Sequence, residues 1–224
     1  MEMTNVDPRE LLQREILHLR TIVAGLSDAD VIKPTACAGW RVADLITHLR
    51  LGTNEILQGL VSETDDPADR DALSYWKDWP PQGPTGFTDV RWLWAQTASY
   101  ASTNSLKSHF DVSACAAQTA CTHASQGRVV FQSHVMETDH FLSMWNTEFA
   151  VHHFDLVENL ERGLSPSEEV MRSLVTTLDA LTESTRLERW DDLSFIRKST
   201  GRERLNLDER RELGELSSLF PAFG

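Results

Sequence analysis

No apolar run in the chain approaches the roughly 20 residues needed to cross a bilayer. The first residues, Met1 to Arg9, are polar and acidic and lack the apolar core of a signal segment. A cytoplasmic location is therefore expected. Cysteine is sparse and odd in number, at Cys37, Cys115 and Cys121. Such a set fits a reducing compartment and not a disulfide framework, and it lacks zinc-ribbon spacing, so buried thiols are expected. Lysine is scarce too, at Lys33, Lys77, Lys107 and Lys198 alone, and the net charge is −13. That balance argues against nucleic acid and against an anionic membrane surface as partners. It leaves an anionic small substrate open, because a local field can oppose the global one. What is present is ordinary for a soluble globular chain: 224 residues, 41 % apolar and 25 % charged. Repeats, low-complexity tracts and interdomain linkers are absent from the sequence. A single domain over 1–224 is expected, with a core at about 8–185 and a C-terminal extension at about 186–224.

Hydrophobic periodicity predicts mostly helix. A first helix runs from about Pro8 to Leu26, capped by Asp7, with Leu12, Ile16, Leu19, Val23 and Leu26 as its stripe. A second runs from about Val42 to Val61, with His48 at the edge of its apolar stripe and Gly52 one turn on leaving room beside it. Residues 62–86 read as a long loop, acidic, then aromatic, then rich in Pro and Gly. Its Tyr75, Trp76 and Trp79 either anchor it to the protein surface or wall a substrate pocket. A third helix is predicted from about Asp89 to Phe110, and "RVVFQSHVM" is β-prone. The fourth runs from about Thr138 to Arg162, closed by Gly163. The fifth starts at a capping box of Ser165 and Glu168. Short helices follow near Asp192–Ser199 and Leu207–Leu213, the latter capped by Asn206 with Glu209. The expected class is all-α, an antiparallel four-helix bundle with short C-terminal helices.

Within that frame, His48, Glu148 and His152 stand out. Glu148 and His152 are four apart, hence on one helix face one turn apart, where they can grip one ion. A charged Glu on a core-facing stripe with Phe141, Met144 and Trp145 is costly unless paired or metal-bound. Two imidazoles and a carboxylate leave a divalent metal at least one open position, the usual form of a catalytic site. His-Glu-x-x-His is absent, since Thr147 precedes Glu148, and a metalloprotease is disfavoured. Helix two offers Glu55 but no Glu-x-x-His pair, so a dinuclear carboxylate site is disfavoured as well. Asp44 and Asp155, four before His48 and three after His152, could orient the ligand imidazoles or could be ordinary solvated residues. His153 points about 100° away from His152, and His18 lacks partners at useful spacing, so both are read as structural.

"GWRVADLITHL" resembles the "GW-x-V-x-DL-x-x-HL" element of the DinB-like superfamily. The "E-x-x-x-H-x-x-D" at Glu148, His152 and Asp155, and "TGRERLNLDERRELG" at Thr200 to Gly214, narrow the resemblance to the mycothiol-dependent maleylpyruvate isomerase N-terminal domain family. The resemblance implies a four-helix bundle and a divalent metal, zinc by preference, held by His48, Glu148 and His152. It also implies mycothiol, or a related low-molecular-weight thiol, as cosubstrate. The isomerase's larger C-terminal domain looks shortened or absent, which favours a mycothiol S-transferase over a maleylpyruvate isomerase. A free thiol has a pKa of roughly 8.5 and is mostly protonated at neutral pH, whereas zinc stabilises the thiolate. The expected function is thus a metal-dependent thiol enzyme that activates the thiol as a metal-bound thiolate for S-transfer or exchange on a small electrophile. The alternatives are a mycothiol-dependent isomerase, a metal-dependent hydrolase, or a non-catalytic binder of metal and thiol conjugates. A monomer or homodimer is expected.

Overall fold

Asp7 starts the first helix by accepting a hydrogen bond from the Arg9 backbone, and Pro8 takes the first helical position, where its missing N–H costs nothing. The computed structural model describes residues 6–77, 85–161 and 163–223, with side chains from 90 onward in the second stretch. Four long helices make the core: α1 (Pro8–Gly25), α3 (Val42–Leu60), α6 (Thr103–His123) and α7 (Thr138–Val157). α1 and α3 each pack against both α6 and α7. Leu12, Ile16, Leu19 and Val23 are buried on α1, and Val42, Leu45, Leu49 and Ile56 on α3, the stripes that 3.6-residue periodicity demands. The short α2 (Asp28–Val31), with a Ser27–Asp30 capping box, joins α1 to α3.

The stretch between α3 and α6 is more structured than its composition suggests. It holds β1 (Glu63–Thr64), α4 (Ala72–Lys77) and α5 (Thr85–Ala98). The single helix expected over Asp89–Phe110 is instead two, α5 and α6. Ser102 restarts the chain with a capping box to Ser105. α6 then runs on to His123, burying Ala114, Ala117 and Cys121. These are small residues that carry little apolar signal but let neighbouring helices approach.

The all-α expectation is corrected by a small antiparallel sheet of order β1-β2-β3, with β2 (Arg128–Phe131) and β3 (His134–Glu137) forming a hairpin. Gln132 and Ser133 take φ of 47° and 68° at its two-residue turn, the left-handed values whose twist matches the flanking strands. α8 (Glu168–Leu181) packs on α7, and its cap is Ser167, not the expected Ser165. α7 itself ends at Val157, five residues short of the expected Arg162. α9 (Asp192–Ser199), α10 (Leu207–Leu213) and a closing 3-10 turn (Gly214–Leu219) follow. Among the described residues, no helix is long and apolar enough to cross a membrane.

Two glycines of α3 permit close helix approach. A Cβ on Gly59 would sit 2.3 Å from the Phe141 ring, and one on Gly52 would sit 2.9 Å from Trp145. The room expected beside Gly52 is therefore filled by α7 aromatics.

Candidate metal centre

The contact between α3 and α7 brings the three residues named from sequence together. Glu148 Oε1 lies 3.0 Å from His48 Nε2 and 3.2 Å from His152 Nε2. The two imidazole centroids are 4.6 Å apart. Side-chain exposures are 31 % for His48, 21 % for Glu148 and 10 % for His152, so the cluster is sunk in the surface but reachable. Trp40 forms one wall, edge-on to His48 at 5.1 Å and stacked on His152 at 6.1 Å.

The hydrogen bonds behind His152 decide what its front can do. Asp155 is fully buried, and its Oδ2 lies 2.8 Å from His152 Nδ1. An ionised carboxylate can only accept, so Nδ1 carries the proton and a neutral imidazole turns its Nε2 lone pair toward Glu148. A lone pair facing a carboxylate oxygen at 3.2 Å requires a cation between them, a proton or a metal. Tetrahedral zinc with bonds of 2.0–2.1 Å needs ligand atoms about 3.3 Å apart. The 3.0 and 3.2 Å spacings fall close to that. The donor set and its spacing therefore fit a divalent metal. His48, Glu148 and His152 can hold it, while Asp155 fixes the His152 tautomer in the manner of a carboxylate behind a metal-bound histidine.

Electrostatics agree with a cation-seeking site. Burial opposes charge on His152, but the Glu148 charge and hydrogen bonds to Asp155, Cys37 and Glu148 outweigh it and hold its pKa well above the usual value. Burial and the neighbouring His152 push His48 down, against the pull of Glu148. Burial works against ionised Glu148, yet the two histidines keep it well below the usual carboxylate range.

Two participants were not foreseen. Arg202 forks onto Asp155, Nε to Oδ1 at 3.0 Å and Nη2 to Oδ2 at 2.8 Å, while its Nη1 donates to the Thr200 carbonyl. Cys37, expected as a buried thiol, is half-buried and donates to Asp155 Oδ2 at 3.1 Å, 3.8 Å from His152 Nδ1. Arg202 lies inside the "TGRERLNLDERRELG" segment that the sequence marks out. Only tertiary structure shows which carboxylate it meets.

Of the other sequence candidates, Asp44 does not orient His48. It is buried at the start of α3, and its hydrogen bonds among the described residues go to the backbone and guanidinium of Arg41. Unsatisfied N–H groups at a helix start claim such a side chain first. Trp76 is an anchor, 3 % exposed and stacked on Phe223 at 4.5 Å. Tyr75 donates its hydroxyl to Gln132 Oε1 at the hairpin turn, and Gln132 reaches Glu55 Oε2 at 3.5 Å. Burial and the Glu148 charge raise the carboxyl pKa of Glu55, two turns after His48. Burial and the Glu148 and Glu55 charges likewise raise the phenol of Tyr75. Trp79 lies outside the described residues.

The model of the mycothiol maleylpyruvate isomerase N-terminal domain family matches residues 12–157. The chain belongs to this family. The matched span contains His48, Glu148, His152 and Asp155, whereas Arg202 lies beyond it. Two solved structures share the family fold: a crystal structure of the mycothiol-dependent maleylpyruvate isomerase and one of a histidine-to-alanine mutant of that enzyme. Their TM-scores are 0.53 and 0.54 at 12 % and 14 % identity, each match covering 78 % of this chain and 68 % of the other. At such identity the likeness is one of fold. No curated protein matches the chain.

Proposed function

We propose that this family member is a divalent-metal-dependent thiol enzyme. Mycothiol, or a related low-molecular-weight thiol, would be its cosubstrate and a small electrophile its substrate. The scaffold is read as an antiparallel four-helix bundle, and S-transfer or thiol exchange is favoured over isomerisation. The observation that carries the reading is Glu148 Oε1 set between two imidazole nitrogens at 3.0 and 3.2 Å, with the far side of His152 fixed by Asp155.

When bound by His48, Glu148 and His152, a divalent metal supplies positive charge that lowers a thiol's pKa toward neutrality. The protein's own residues do the rest. Asp155, held by the Arg202 fork, keeps His152 Nδ1 protonated and its ring aimed. Trp40 walls the histidines and keeps water from one side of the site. No protein side chain need act as nucleophile.

The test is metal content of the purified chain, with a mycothiol titration before and after chelation. Thiol binding that needs the metal supports the reading. Metal without any effect on thiol binding, together with turnover lacking a thiol, replaces it by a hydrolase on the same ligands. Metal-dependent binding of thiol conjugates without turnover in a panel of electrophiles replaces it by a sequestering protein.

A further inference from the structure

We infer that Glu15, His18 and His153 form a second divalent-cation site, separate from the first and closing α1 onto α7. Their potential ligand atoms lie within 4.8 Å of one another. Glu15 and His18 are three apart on α1, on one face and one turn apart. His153 meets them from the face of α7 that looks away from His48.

Three observations carry the inference. First, His153 Nε2 lies 2.6 Å from the Leu164 carbonyl oxygen, which can only accept. That bond fixes the tautomer and leaves Nδ1 as the free nitrogen, the arrangement of a carbonyl behind a metal-bound histidine. Second, Nδ1 faces Glu15 Oε1 at 2.6 Å, so a cation must lie between them, as at His152. Third, the other carboxylate oxygen, Glu15 Oε2, is buried with no hydrogen-bond partner, on a side chain only 1 % exposed. Orphaned carboxylate oxygens inside a protein are costly. None of the hydrogen bonds among the described residues uses a nitrogen of His18, whose ring sits edge-on to His153 at 4.8 Å.

A shared proton satisfies Glu15 Oε1 and His153 Nδ1 and leaves Oε2 and His18 as they are. A divalent cation engages the carboxylate and both imidazoles. The metal takes the place of that proton, which is released, and no other bond changes. The 2.6 Å contact is shorter than the roughly 3.3 Å between zinc ligands, so the pair must part by some tenths of an ångström, or Oε2 must serve as the ligand. Two imidazoles and one carboxylate select zinc or another borderline transition ion over magnesium or calcium.

The test counts metal on the full chain after zinc loading and gel filtration, by elemental analysis. The expected result is about two zinc ions per wild-type chain and about one in His18→Ala. Glu148→Gln also falls to one, and the ion it keeps still raises Tm. The double variant His18→Ala/Glu148→Gln retains none. His18 is the partly exposed member, so its loss leaves the Glu15–His153 pair and the fold in place. Cobalt(II) loaded into Glu148→Gln should show visible absorbance that vanishes on adding His18→Ala. One zinc in the wild type that Glu148→Gln removes would overturn the second site and leave the first intact. Two zinc ions that persist in His18→Ala would also overturn it. No zinc in any form would overturn both.

Discussion

His152 and His153 are neighbours on α7, yet they serve two clusters built from the same donor types and opposite in character. The His152 cluster is half-open, its glutamate spaced 3.0 and 3.2 Å from two imidazoles, with an aromatic wall beside it. The His153 cluster has its glutamate and one histidine sealed at 1 % and 0 % exposure and drawn to 2.6 Å. Both histidines are aimed by an oxygen acceptor behind the ring, Asp155 for one and the Leu164 carbonyl for the other. The difference lies in access and spacing. A site that exchanges ligands needs an approach from solvent and donors already spread to metal distance. A site that holds two helices together needs neither. Residue identity alone therefore does not separate an open cluster from a sealed one.

The strongest way to break the comparison is to remove one histidine at a time. His152→Ala should lower metal affinity at the open site by more than about 100-fold, since loss of a supporting partner alone costs 10–100-fold. Thiol binding should go with it while the helical circular dichroism stays. If His152→Ala keeps both metal and thiol binding, the open cluster is not the centre. Glu15→Ala should do the reverse. It leaves His153 buried beside a cavity, and breaking a buried pair costs about 3–5 kcal/mol. Urea unfolding should report that loss, and metal-dependent thiol binding per folded molecule should be unchanged.

How much of this the sequence discloses depends on whether a signal is local. His48, Glu148 and His152 are legible because helical periodicity turns a four-residue spacing into a shared face and makes a charged residue on an apolar stripe conspicuous. The α1, α3, α9 and α10 boundaries are legible for the same local reasons, caps and stripes. His18 reads as partnerless from sequence, although Glu15 lies three residues before it on α1, because nothing local reveals that His153 and Leu164 close over that face. Arg202 and Cys37 reach Asp155 across 47 and 118 residues of chain. α6 hid behind its small buried residues, and the role of Asp44 stayed open in the sequence because a helix start competes for the same carboxylate.

A smaller perturbation tests the support behind the open site. Asp155→Asn keeps the shape but offers His152 Nδ1 a weaker acceptor, and metal affinity should fall 10–100-fold, about 1.4–2.8 kcal/mol. pH supplies an independent readout in metal-free protein. Burial would raise the Asp155 carboxyl, but hydrogen bonds from His152 and Arg202 outweigh it and hold the group below the usual carboxylate value. A depressed acid stabilises the fold above its unfolded pKa, near 3.9, and that contribution disappears as pH falls through the lower folded value. The wild type should therefore exceed Asp155→Asn in Tm most at pH above about 4, with the gap shrinking below it. A gap independent of pH would mean that Asp155 acts by packing alone.

The smallest expected effect separates the wall from the ligands. Trp40 touches both open-site imidazoles through ring contacts at 5.1 and 6.1 Å and donates no metal ligand. Aromatic pairs of this kind contribute about 0.5–1.5 kcal/mol beyond the area they bury. Trp40→Leu keeps an apolar side chain there and should leave metal stoichiometry untouched while weakening thiol binding by about 2- to 12-fold, the same energy read as affinity. Trp40 has no counterpart over the sealed cluster, where His18 supplies the only ring set against His153 among the described residues. If Trp40→Leu instead strips the metal, the wall is holding the ligand rings in place. The open site's geometry would then be kept by packing against Trp40 as well as by the Asp155 hydrogen bond behind His152.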